Sequence, residues 1–582
     1  MKQIILKEHG ILPGTECTLA LAALFCEHPT DTEFVFEAGD YYFLPKILRD
    51  LRLSNTDVLP TRKLGVVLEN MKNVRLLGKR EGDDATRLWF SGQMQAITLL
   101  FCENVEIKNL IIDWEKPLVS EGIVTAFTDT TIDLRIDSRV YPHRVEDGQI
   151  LFDIGADEWW PMSWWQIQFD EQTRTVRRGS GDRFAIGKLL EPLGDDVYRF
   201  AANHPDTAVG NVIVLRHNAR QHAGIFTEKC KNVTFEDITV HSCGGLGCLA
   251  QFCEDLTYRR VHFLPNVAAG RKVANGRDDG MHVTCCRGTV TVTECSFVGL
   301  MDDPINVHSC CVTGVEWLDA RTLRCRYMHH QACAFLYWAE DGDDIVFIDR
   351  RPMTPFASAT AATYELISNE EFLLTFREDV DATVRALDPA GIALDNLTNT
   401  AAFVCTHNRF GSCRARGVLI STPKPVRIAD NLFQSSGSAI LVAGDSNGWF
   451  ESGECHDVEI CDNVFTDACL SSMYQFCEGI ISICPVIPEP DVKTPYHKNI
   501  RIHHNVFDTP DTPVLYGFST DGLTFRDNRI YKSTCAERWH PGEHLIKLSH
   551  SKNVDIGGNL WVGPFSIEKL TQDCCENVRW EE

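Results

Sequence analysis

The stretch HDVEICDNVF, residues 456–465, carries the pattern that decides the fold of this chain of 582 residues. Valine and isoleucine alternate with polar residues, an asparagine follows, and an apolar pair closes the unit. Alternation with a period of two is typical of a short β-strand with one buried face. Because asparagine tolerates left-handed backbone geometry and bonds its own backbone, we expect the chain to bend at Asn463.

The same pattern recurs along most of the chain. Its other copies are KNVRLLG at 72, ENVEIKNLIID at 103, KNVTFEDITVHSC at 231, EDLTYRRVHF at 254, VRIADNLF at 426, KNIRIHHNVF at 498, DGLTFRDNRI at 521 and KNVDIGGNLW at 552. The later asparagines, Asn431, Asn463, Asn505, Asn528 and Asn559, are 32, 42, 23 and 31 residues apart. A single unit cannot bury its apolar face, whereas stacked units can. The repeat therefore predicts an all-β fold, a right-handed parallel β-helix, since a propeller blade would need about 40 residues each time.

Two segments interrupt the repeat. Residues 119–208 are rich in tryptophan and charge, and residues 313–402 contain several separate short strands. We predict two small antiparallel β-barrel-like domains inserted into loops of the β-helix. The chain then divides into an N-terminal cap with the first coils (1–118), the first insertion (119–208), central coils (209–312), the second insertion (313–402) and C-terminal coils (403–582). The segment CTLALAALFCEH at 17–28 is predicted to be a helix that caps the first coil.

Composition excludes several classes of function. A net charge of −25 argues against a nucleic-acid-binding protein, which needs a basic surface. No apolar run approaches the roughly 18 residues of a membrane-spanning helix, so no membrane partner is expected. The N-terminal MKQIILKEHG does not resemble a signal peptide, so we expect a cytoplasmic protein with free thiols at its 24 cysteines. No cofactor and no metal is predicted, because adjacent pairs such as Cys285–Cys286 lack the spacing of a metal knuckle.

Two acidic pairs, Asp278–Asp279 and Asp302–Asp303, lie about one coil apart on either side of the strand-like run TVTVTECSF. In stacked coils, neighbouring strands are about 4.8 Å apart, so the pairs are expected to lie side by side. Like charges at short range raise the pKa of at least one carboxyl. A protonated carboxylic acid beside an ionised one is the machinery of glycoside hydrolysis. Two alternatives remain: the pairs only shape turns, or they bind Ca²⁺.

Side chains suited to sugar hydroxyls surround these pairs. A second cluster, AGDSNGWFESG at 443–453, joins carboxylates to a tryptophan, on which a sugar face can pack; the alternative is a tryptophan buried in a turn. Gln251 lies one coil before Asp279 and is predicted to line the same cleft from the other side. The predicted substrate-binding residues are Gln251, Asp278, His282, Asn306, His308, Asp445, Trp449 and Glu451.

Five blocks of the sequence resemble glycoside hydrolase family 110, the exo-acting α-1,3-galactosidases. These blocks are LIIDWEKPL at 110, FEDITVHSCGGLGCLAQFCEDL at 235, GRDDGMHVTCCRG at 276, MDDPINVH at 301 and GDSNGWFESG at 444. They span nearly the whole chain, and the blocks MDDPINVH and NGWFESG are the most specific.

The resemblance implies a β-helix with β-barrel insertions and an inverting enzyme that removes terminal α-1,3-linked galactose, as on the blood-group B determinant or on linear α-galactosyl glycans. Its partner would be a galactose-terminated oligosaccharide or glycoconjugate. Carried onto this sequence, the catalytic acids are Asp279, Asp302 and Asp303, with Asp279 or Asp303 on the leaving-group side and Asp302 nearer the water. Asp278 stands where the family often has a non-acidic residue. Members are commonly exported, which this N-terminus does not indicate.

Two rival functions are kept open. A polygalacturonase-like hydrolase is also a β-helix with an Asp-Asp pair, but its Gly-His-Gly and Arg-Ile-Lys triplets do not occur here. A non-catalytic carbohydrate-binding solenoid would keep Trp449 and need no paired acids. The tryptophans Trp159, Trp160, Trp164 and Trp165 are the candidate surface for a homodimer.

Overall fold

A computed structural model of the chain describes residues 1–582 except 82–83, 183, 185, 218, 566–567 and 582. Its main body is a parallel β-helix whose coils stack along two long sheets, as the repeat predicts. One of these sheets, which we call the cleft sheet, carries the acidic pairs. Its parallel strands are Arg62–Glu69, Gln95–Leu100, His222–Glu228, Gly245–Gln251, Met281–Thr284, Ile305–Cys310, Val418–Ile420, Ile440–Val442, Ile481–Ile483, Leu515–Phe518, His544–Ser549 and Glu568–Asp573. Ile47–Arg49 pairs antiparallel at one edge, and Glu451–Ser452 pairs antiparallel with Ile305–Cys310.

The second long sheet bends along its length and so supplies two walls of each coil. Its first wall contains Lys2–Ile5, Thr30–Val35, Lys72–Leu77, Glu103–Trp114, Lys231–Val240, Glu254–Phe263, Arg287–Thr293, Ala402–Thr406, Val426–Ala429, His456–Cys461, His497–His503, Thr520–Arg526, Lys552–Gly557 and Glu576–Trp580. Its second wall adds Gly39–Phe43, Arg80–Glu81, Asp84–Phe90, Ser296–Phe297, Arg409–Phe410, Leu432–Phe433, Val464–Phe465, Val506–Thr509, Arg529–Lys532 and Leu560–Val562. Three strands run through the bend, where Asn109, Asp237 and Arg260 have φ of 62°, 55° and 54°.

The bend in the later coils differs from the expectation in one detail. The residue with positive φ is the one before each repeat asparagine, as at Asp430, Asp462 and His504, with φ of 58°, 57° and 58°. The asparagine itself points inward, and Asn431, Asn463, Asn505 and Asn528 are buried. The side-chain oxygen of Asn463 accepts from the backbone N–H and the side-chain amide of Asn431, at 3.0 and 2.9 Å. The repeat asparagines therefore hold consecutive coils together, and the left-handed geometry falls on their exposed neighbours.

The core between the sheets repeats from coil to coil because the register places like residues above one another. Phe297, Phe410, Phe433, Phe465 and Phe507 form a stack with ring centroids 4.5 to 5.2 Å apart. The predicted cap is a helix, Thr18–Glu27, which buries Leu21, Leu24 and Phe25 in the same core. The remaining short helices are Leu6–His9, Val267–Ala269, Ala382–Arg385, Pro389–Gly391 and Leu397–Asn399.

Both insertions are antiparallel β domains, as predicted. The first is an eight-stranded sheet of Val119–Phe127, Thr131–Arg135, His143–Glu146, Gln149–Gly155, Glu158–Phe169, Leu189–Gly194, Val197–Ala201 and Val212–His217. The second is a closed six-stranded barrel of Val312–Trp317, Thr322–Arg326, Asp344–Asp349, Thr354–Leu366, Glu371–Phe376 and Ile392–Asn396. The strands of the first insertion run from Val119 to His217, because Val212–His217 pairs with both Val119–Phe127 and Glu158–Phe169, and those of the second run from Val312 to Asn396.

The first insertion packs against coils that come much later in the chain. The backbone N–H of Gly179 donates to the carbonyl of Ser471 at 2.8 Å, and that of Val176 donates to the hydroxyl of Ser412 at 2.7 Å. Arg178 forms an ion pair with the fully buried Asp511, which lies 333 residues further on. These contacts fix the insertion as a wall beside the cleft sheet.

Three further expectations concern surfaces and thiols. All 24 cysteines are free, and 19 of them are buried. Within the described residues, no helix is long and apolar enough to cross a membrane. Of the tryptophans considered for a homodimer, Trp159 lies under the guanidinium of Arg144 at 4.2 Å, and Trp160 packs against the β-helix core. The side chains of Trp164 and Trp165 lie outside the described part of the chain, and the homodimer stays a prediction.

Candidate active site

The two acidic pairs lie on adjacent rungs, immediately before the cleft-sheet strands Met281–Thr284 and Ile305–Cys310. Gly280 N–H donates to the carbonyl of Asp303 at 2.9 Å, and Met281 pairs with Ile305. The coil between them therefore has 24 residues, so Asp279 stacks on Asp303 and Asp278 on Asp302. Each acidic pair is in register with the other.

Gly280 lies where the two acidic rungs approach each other most closely. A Cβ at this position would lie 2.6 Å from the carbonyl oxygen of Pro304 and 2.8 Å from Cδ1 of Leu300. A side chain would thus push the two rungs apart. The glycine allows the close approach that puts Asp279 over Asp303.

Three arginines surround Asp278. The Nη2 atoms of Arg216 and Arg220 lie 2.7 and 3.1 Å from its Oδ1, and Arg277 contacts both carboxyl oxygens at 2.9 and 2.7 Å. Burial alone would raise the pKa of this carboxyl, but Arg220, Arg277 and Arg216 hold it far below its ordinary value. Asp278 has none of its surface exposed, so it neutralises arginines beneath the cleft. The sequence predicted a substrate-binding role, and the structure gives it no place on the cleft surface.

Asp302 is also paired with arginines, but it borders the cleft. Arg414 donates to its Oδ1 at 2.8 Å, and Arg220 donates to its Oδ2 at 2.9 Å. Burial opposes ionisation, yet Arg414 and Arg220 hold the pKa of Asp302 below its ordinary value. Arg414 also binds Asp182 of the first insertion at 2.7 Å, which ties that wall to the carboxylate. Asp302 is therefore an anion held in a fixed orientation.

The other two carboxyls have the opposite tendency. Burial raises the pKa of Asp303 to about 7, against the effect of Arg416, which contacts Oδ2 at 2.8 Å. Burial and the nearby charge of Asp302 raise the pKa of Asp279 well above its ordinary value. Arg220, the nearest cation to Asp279, is 4.0 Å from its Oδ1. The cleft thus combines one carboxyl whose pKa is lowered by arginines with two whose pKa is raised by burial.

The predicted His282, His308, Asn306 and Glu451 lie together behind Asp279. His282 contacts Oδ2 of Asp279 through Nδ1 at 2.8 Å. Asn306 donates to Oε2 of Glu451 at 3.2 Å. His282, Asn306 and Glu451 border the cleft, whereas His308 lies behind His282. The carbonyl oxygen of the Asn306 side chain is buried without a hydrogen-bond partner.

His282, His308 and Glu451 present ligand atoms that all lie within 4.8 Å of one another, a spacing that raises the question of a metal. The two imidazole Nε2 atoms are, however, 2.8 Å apart. Two nitrogens of one tetrahedral Zn²⁺, each about 2.0 to 2.1 Å from the ion, would be about 3.3 Å apart. The observed distance is that of a direct hydrogen bond, in which one Nε2 carries the hydrogen and the other accepts it, so neither nitrogen has a lone pair left for a metal. The donor set therefore fits a hydrogen-bonded pair and not an ion.

The loop around Asp445 forms the opposite side of the cleft. Its carboxylate accepts from the backbone N–H groups of Asn447 and Gly448 at 2.6 and 2.8 Å, and also from that of Trp449. Trp449 is 40% exposed, so it is not the buried tryptophan of the alternative interpretation. Its ring centroid lies 4.5 Å from that of His329 in the second insertion. The second insertion thus supports the aromatic edge of the cleft.

Gln251 is not on the cleft surface. Its side chain accepts from the N–H of Ser54 at 3.0 Å and donates to the carbonyl of Arg52 and to Glu228, both at 2.6 Å. It fixes the loop that carries Asn55, and Asn55 donates to Oε1 of Glu451 at 2.9 Å. Gln251 therefore reaches the site only through this loop.

Sequence reasoning missed the cations of the site. Arg414 and Arg416 occur in SCRARG and lie about one coil beyond the acidic pair once the second insertion is removed, so their alternation was a usable signal. Arg220 and Asn55 come from irregular loops that carry no periodic pattern. Together with the acidic rungs and the loop of Trp449 they line one cleft, with Leu419, Leu441 and Ala443 as its apolar floor.

Family models and named relatives of this chain point to the same family. Residues 120–213 match the family model described as GLAA-B beta-barrel domain I, and residues 322–389 match that of GLAA-B beta-barrel domain II. The chain is 37% identical over 561 residues to a Bacteroides thetaiotaomicron protein named alpha-1,3-galactosidase B, covering 94% of this chain and 88% of that protein. It is 31% identical over 538 residues to alpha-1,3-galactosidase A of Bacteroides fragilis, covering 90% and 86%. A solved exopolygalacturonase of family 28 from Yersinia enterocolitica aligns over 99% of this chain and 78% of that chain, with 11% identity and a TM-score of 0.40.

Proposed function

Because the chain belongs to the family of the α-1,3-galactosidases A and B, we propose that it is an exo-acting glycosidase that hydrolyses terminal α-1,3-linked galactose with inversion. The observation that carries the proposal is a pair of carboxyls on two adjacent rungs of one cleft, of which Asp302 is bound by Arg414 and Arg220 while Asp279 has, among the residues that the structure describes, no arginine closer than 4.0 Å. Glycoside hydrolysis needs a carboxylic acid for the leaving oxygen and a carboxylate for water. Inversion is included because the sequence blocks resemble an inverting family.

In this proposal Asp279 is the general acid. Its raised pKa keeps a proton on a residue that borders the cleft. Asp302 is the general base, because Arg220 and Arg414 keep it ionised and oriented. Asp303, bound by Arg416, lies on the same rung and orients the attacking water with Asp302. A general acid and base of this kind each contribute about 10² to 10⁴ in rate.

The galactose is held by groups that complement hydroxyls and a ring face. The unpartnered side-chain oxygen of Asn306 accepts from a sugar hydroxyl, and Glu451 accepts from a second one. The exposed ring of Trp449 packs against the apolar face of the sugar. The cleft is built from neutral and paired groups, so it suits a neutral galactoside, either in a branched B-type glycan or in a linear one.

The direct test is an assay on α-1,3-galactosyl disaccharide and on the B trisaccharide, with the released sugar followed by NMR. We expect β-galactose as the first product. Release of α-galactose first would contradict inversion, and no release from either glycan would contradict the proposed activity.

Asp302→Asn separates catalysis from simple binding. We expect turnover to fall by about 10² or more because the base is lost, while the glycan still binds. The matched control is Asp430→Asn, which makes the same change at an exposed position outside the cleft and should keep wild-type turnover. Unchanged turnover in Asp302→Asn would reject its catalytic role and favour a carbohydrate-binding solenoid.

A further inference from the structure

A chain of hydrogen bonds leads from Asp279 away from the cleft through two buried histidines. Nδ1 of His282 lies 2.8 Å from Oδ2 of Asp279, and its Nε2 lies 2.8 Å from Nε2 of His308. Nδ1 of His308 lies 2.7 Å from the carbonyl oxygen of Ser309. Asp279, His282 and His308 each expose at most 4% of their surface, so bulk water does not compete for these atoms.

The acceptor at the end of this series of hydrogen bonds determines which of its atoms carry hydrogens. The carbonyl of Ser309 can only accept, so Nδ1 of His308 carries a hydrogen. If both imidazoles are neutral, His282 donates through Nε2 and accepts at Nδ1, and Asp279 must be the protonated donor. If Asp279 is ionised, His282 donates through Nδ1, and His308 must be protonated on both nitrogens. In either form the chain holds one shared proton, because its loss would leave two lone pairs facing each other at 2.8 Å.

At the His308 end of the hydrogen-bond chain, the carboxylate of Glu451 lies close to the imidazole. Oε1 of Glu451 lies 3.7 Å from Nε2 of His308 and also accepts from Asn55 at 2.9 Å. Burial alone would raise the pKa of Glu451, but His308, His282 and two amide donors hold it below its ordinary value. The charged and titratable groups that face the chain are Arg220, Asp278, Asp302, Asp303 and Arg416 near Asp279, and Glu451 and Asp395 near His308. A positive charge on His308 would therefore face the carboxylate of Glu451.

We propose that His282 and His308 form a proton relay that supplies Asp279 with the proton it gives to the leaving group, an inference that rests on the proposed function. In the relay step, His308 passes its Nε2 proton to Nε2 of His282, while His282 passes its Nδ1 proton to Oδ2 of Asp279. The carboxylate becomes neutral and His308 loses its positive charge. Both histidines are positioning residues, since they act through Asp279.

The remaining steps of the hydrolysis conserve protons and electron pairs. Asp279 gives the proton to the glycosidic oxygen as the bond to galactose breaks, and the bonding electron pair leaves with that oxygen. Water forms the new bond to the anomeric carbon and gives its proton to Asp302. After the products leave, Asp302 releases one proton to solvent and the relay takes one up, so a cycle consumes none.

The test is His308→Gln, which keeps a neutral polar side chain but removes one site for the shared proton. On α-1,3-galactosyl disaccharide we expect kcat to fall about 10- to 100-fold with KM nearly unchanged. The alkaline limb of the pH profile should move to lower pH, because the proton has fewer places to reside. On 2,4-dinitrophenyl α-galactoside, whose leaving group needs no proton, kcat should stay close to that of the wild type.

The matched control is His241→Gln. His241 also bonds a backbone carbonyl through Nδ1, that of Leu264 at 2.8 Å, but it lies outside the cleft. It should leave both substrates and the pH profile unchanged. An equal loss on both substrates in His308→Gln, with the alkaline limb in place, would mean a purely structural role and overturn the relay.

Two measurements on the wild-type protein keep the relay separate from the proposed function. Histidine ¹⁵N NMR should find Nδ1 of His308 protonated from pH 5 to pH 8, and metal analysis should find no stoichiometric ion. An unprotonated Nδ1, or an ion whose removal changes the His282 and His308 signals, would overturn the relay whatever the activity. If the wild type cleaves no α-galactoside, the proposed function fails instead.

Discussion

At the scale of single residues, the number of arginines around each aspartate decides which carboxyl is ionised. Asp278 has three guanidinium groups within hydrogen-bond distance and stays an anion despite complete burial. Asp303 has one, from Arg416, and burial dominates. Four aspartates of similar sequence context thus acquire different states. The sequence could predict that these carboxyls would meet, but it could not assign their protons, since Arg220 reaches them from a loop without a pattern.

This difference predicts how stability depends on pH. The pKa of Asp303 rises from 3.8 to about 7 on folding, so its contribution is complete below the unfolded value and is lost as the pH rises through about 7. We expect Asp303→Asn to reduce the fall in the free energy of unfolding between pH 5 and pH 8 by about 2 to 3 kcal/mol. Denaturant titrations at both pH values measure this.

The comparison concerns the change with pH and not the absolute stability, because the variant also leaves Arg416 without its anion. Asp430→Asn, at an exposed position, is the control and should show the wild-type fall. An identical fall in Asp303→Asn and in the wild type would show that Asp303 does not retain its proton.

At the scale of elements, the repeat asparagines connect consecutive coils through hydrogen bonds. Each offers its side-chain oxygen to the backbone and amide of the asparagine one coil earlier, and its own amide to a carbonyl of the coil wall. The sequence predicted the strands and the bends correctly because period-two alternation is a local signal. It assigned the left-handed conformation to the asparagine and not to the residue before it, because positive φ and inward hydrogen bonding favour the same residue types.

Asn463→Ala tests this element. The change leaves the N–H of Asn431 buried without its acceptor and removes an amide donor from the carbonyl of Ile428, so we expect a loss of about 1 to 3 kcal/mol in the free energy of unfolding. Turnover at a permissive temperature should be unchanged, because Asn463 is remote from the cleft. Asn203→Ala, at an exposed loop position, is the control. A loss below about 0.5 kcal/mol would mean that the ladder follows from stacking and does not stabilise it.

At the scale of the whole molecule, the architecture follows from sequence more completely than the cleft does. The repeat copies predicted the β-helix, and the gaps between them predicted both insertions. The repeat does not predict the cleft, because the cleft walls include Asn55, Asp182 and Trp449. These residues are far apart in sequence and meet only through tertiary packing. A coil-by-coil pattern contains no information about such contacts.

The net charge gives a prediction at this scale. A neutral galactoside is not steered by the field of a chain with charge −25, so kcat/KM should change less than about twofold between 20 and 200 mM NaCl. A polyanionic pectin would be repelled and should bind better as salt rises. Polygalacturonate serves as the comparison substrate, and cleavage of polygalacturonate that increases strongly with salt would favour the polygalacturonase-like alternative.

The contact between Arg178 and Asp511 has a consequence for the order of events during synthesis. The partners are 333 residues apart. At about 5 to 20 residues per second, a ribosome needs roughly 20 to 70 seconds to reach the second partner after making the first. The first insertion is therefore synthesised long before the coil that carries Asp511. Coils can stack as they emerge, but the wall beside the carboxylates settles only when most of the protein has been made, so we expect catalytic competence to appear abruptly and late on the growing polypeptide.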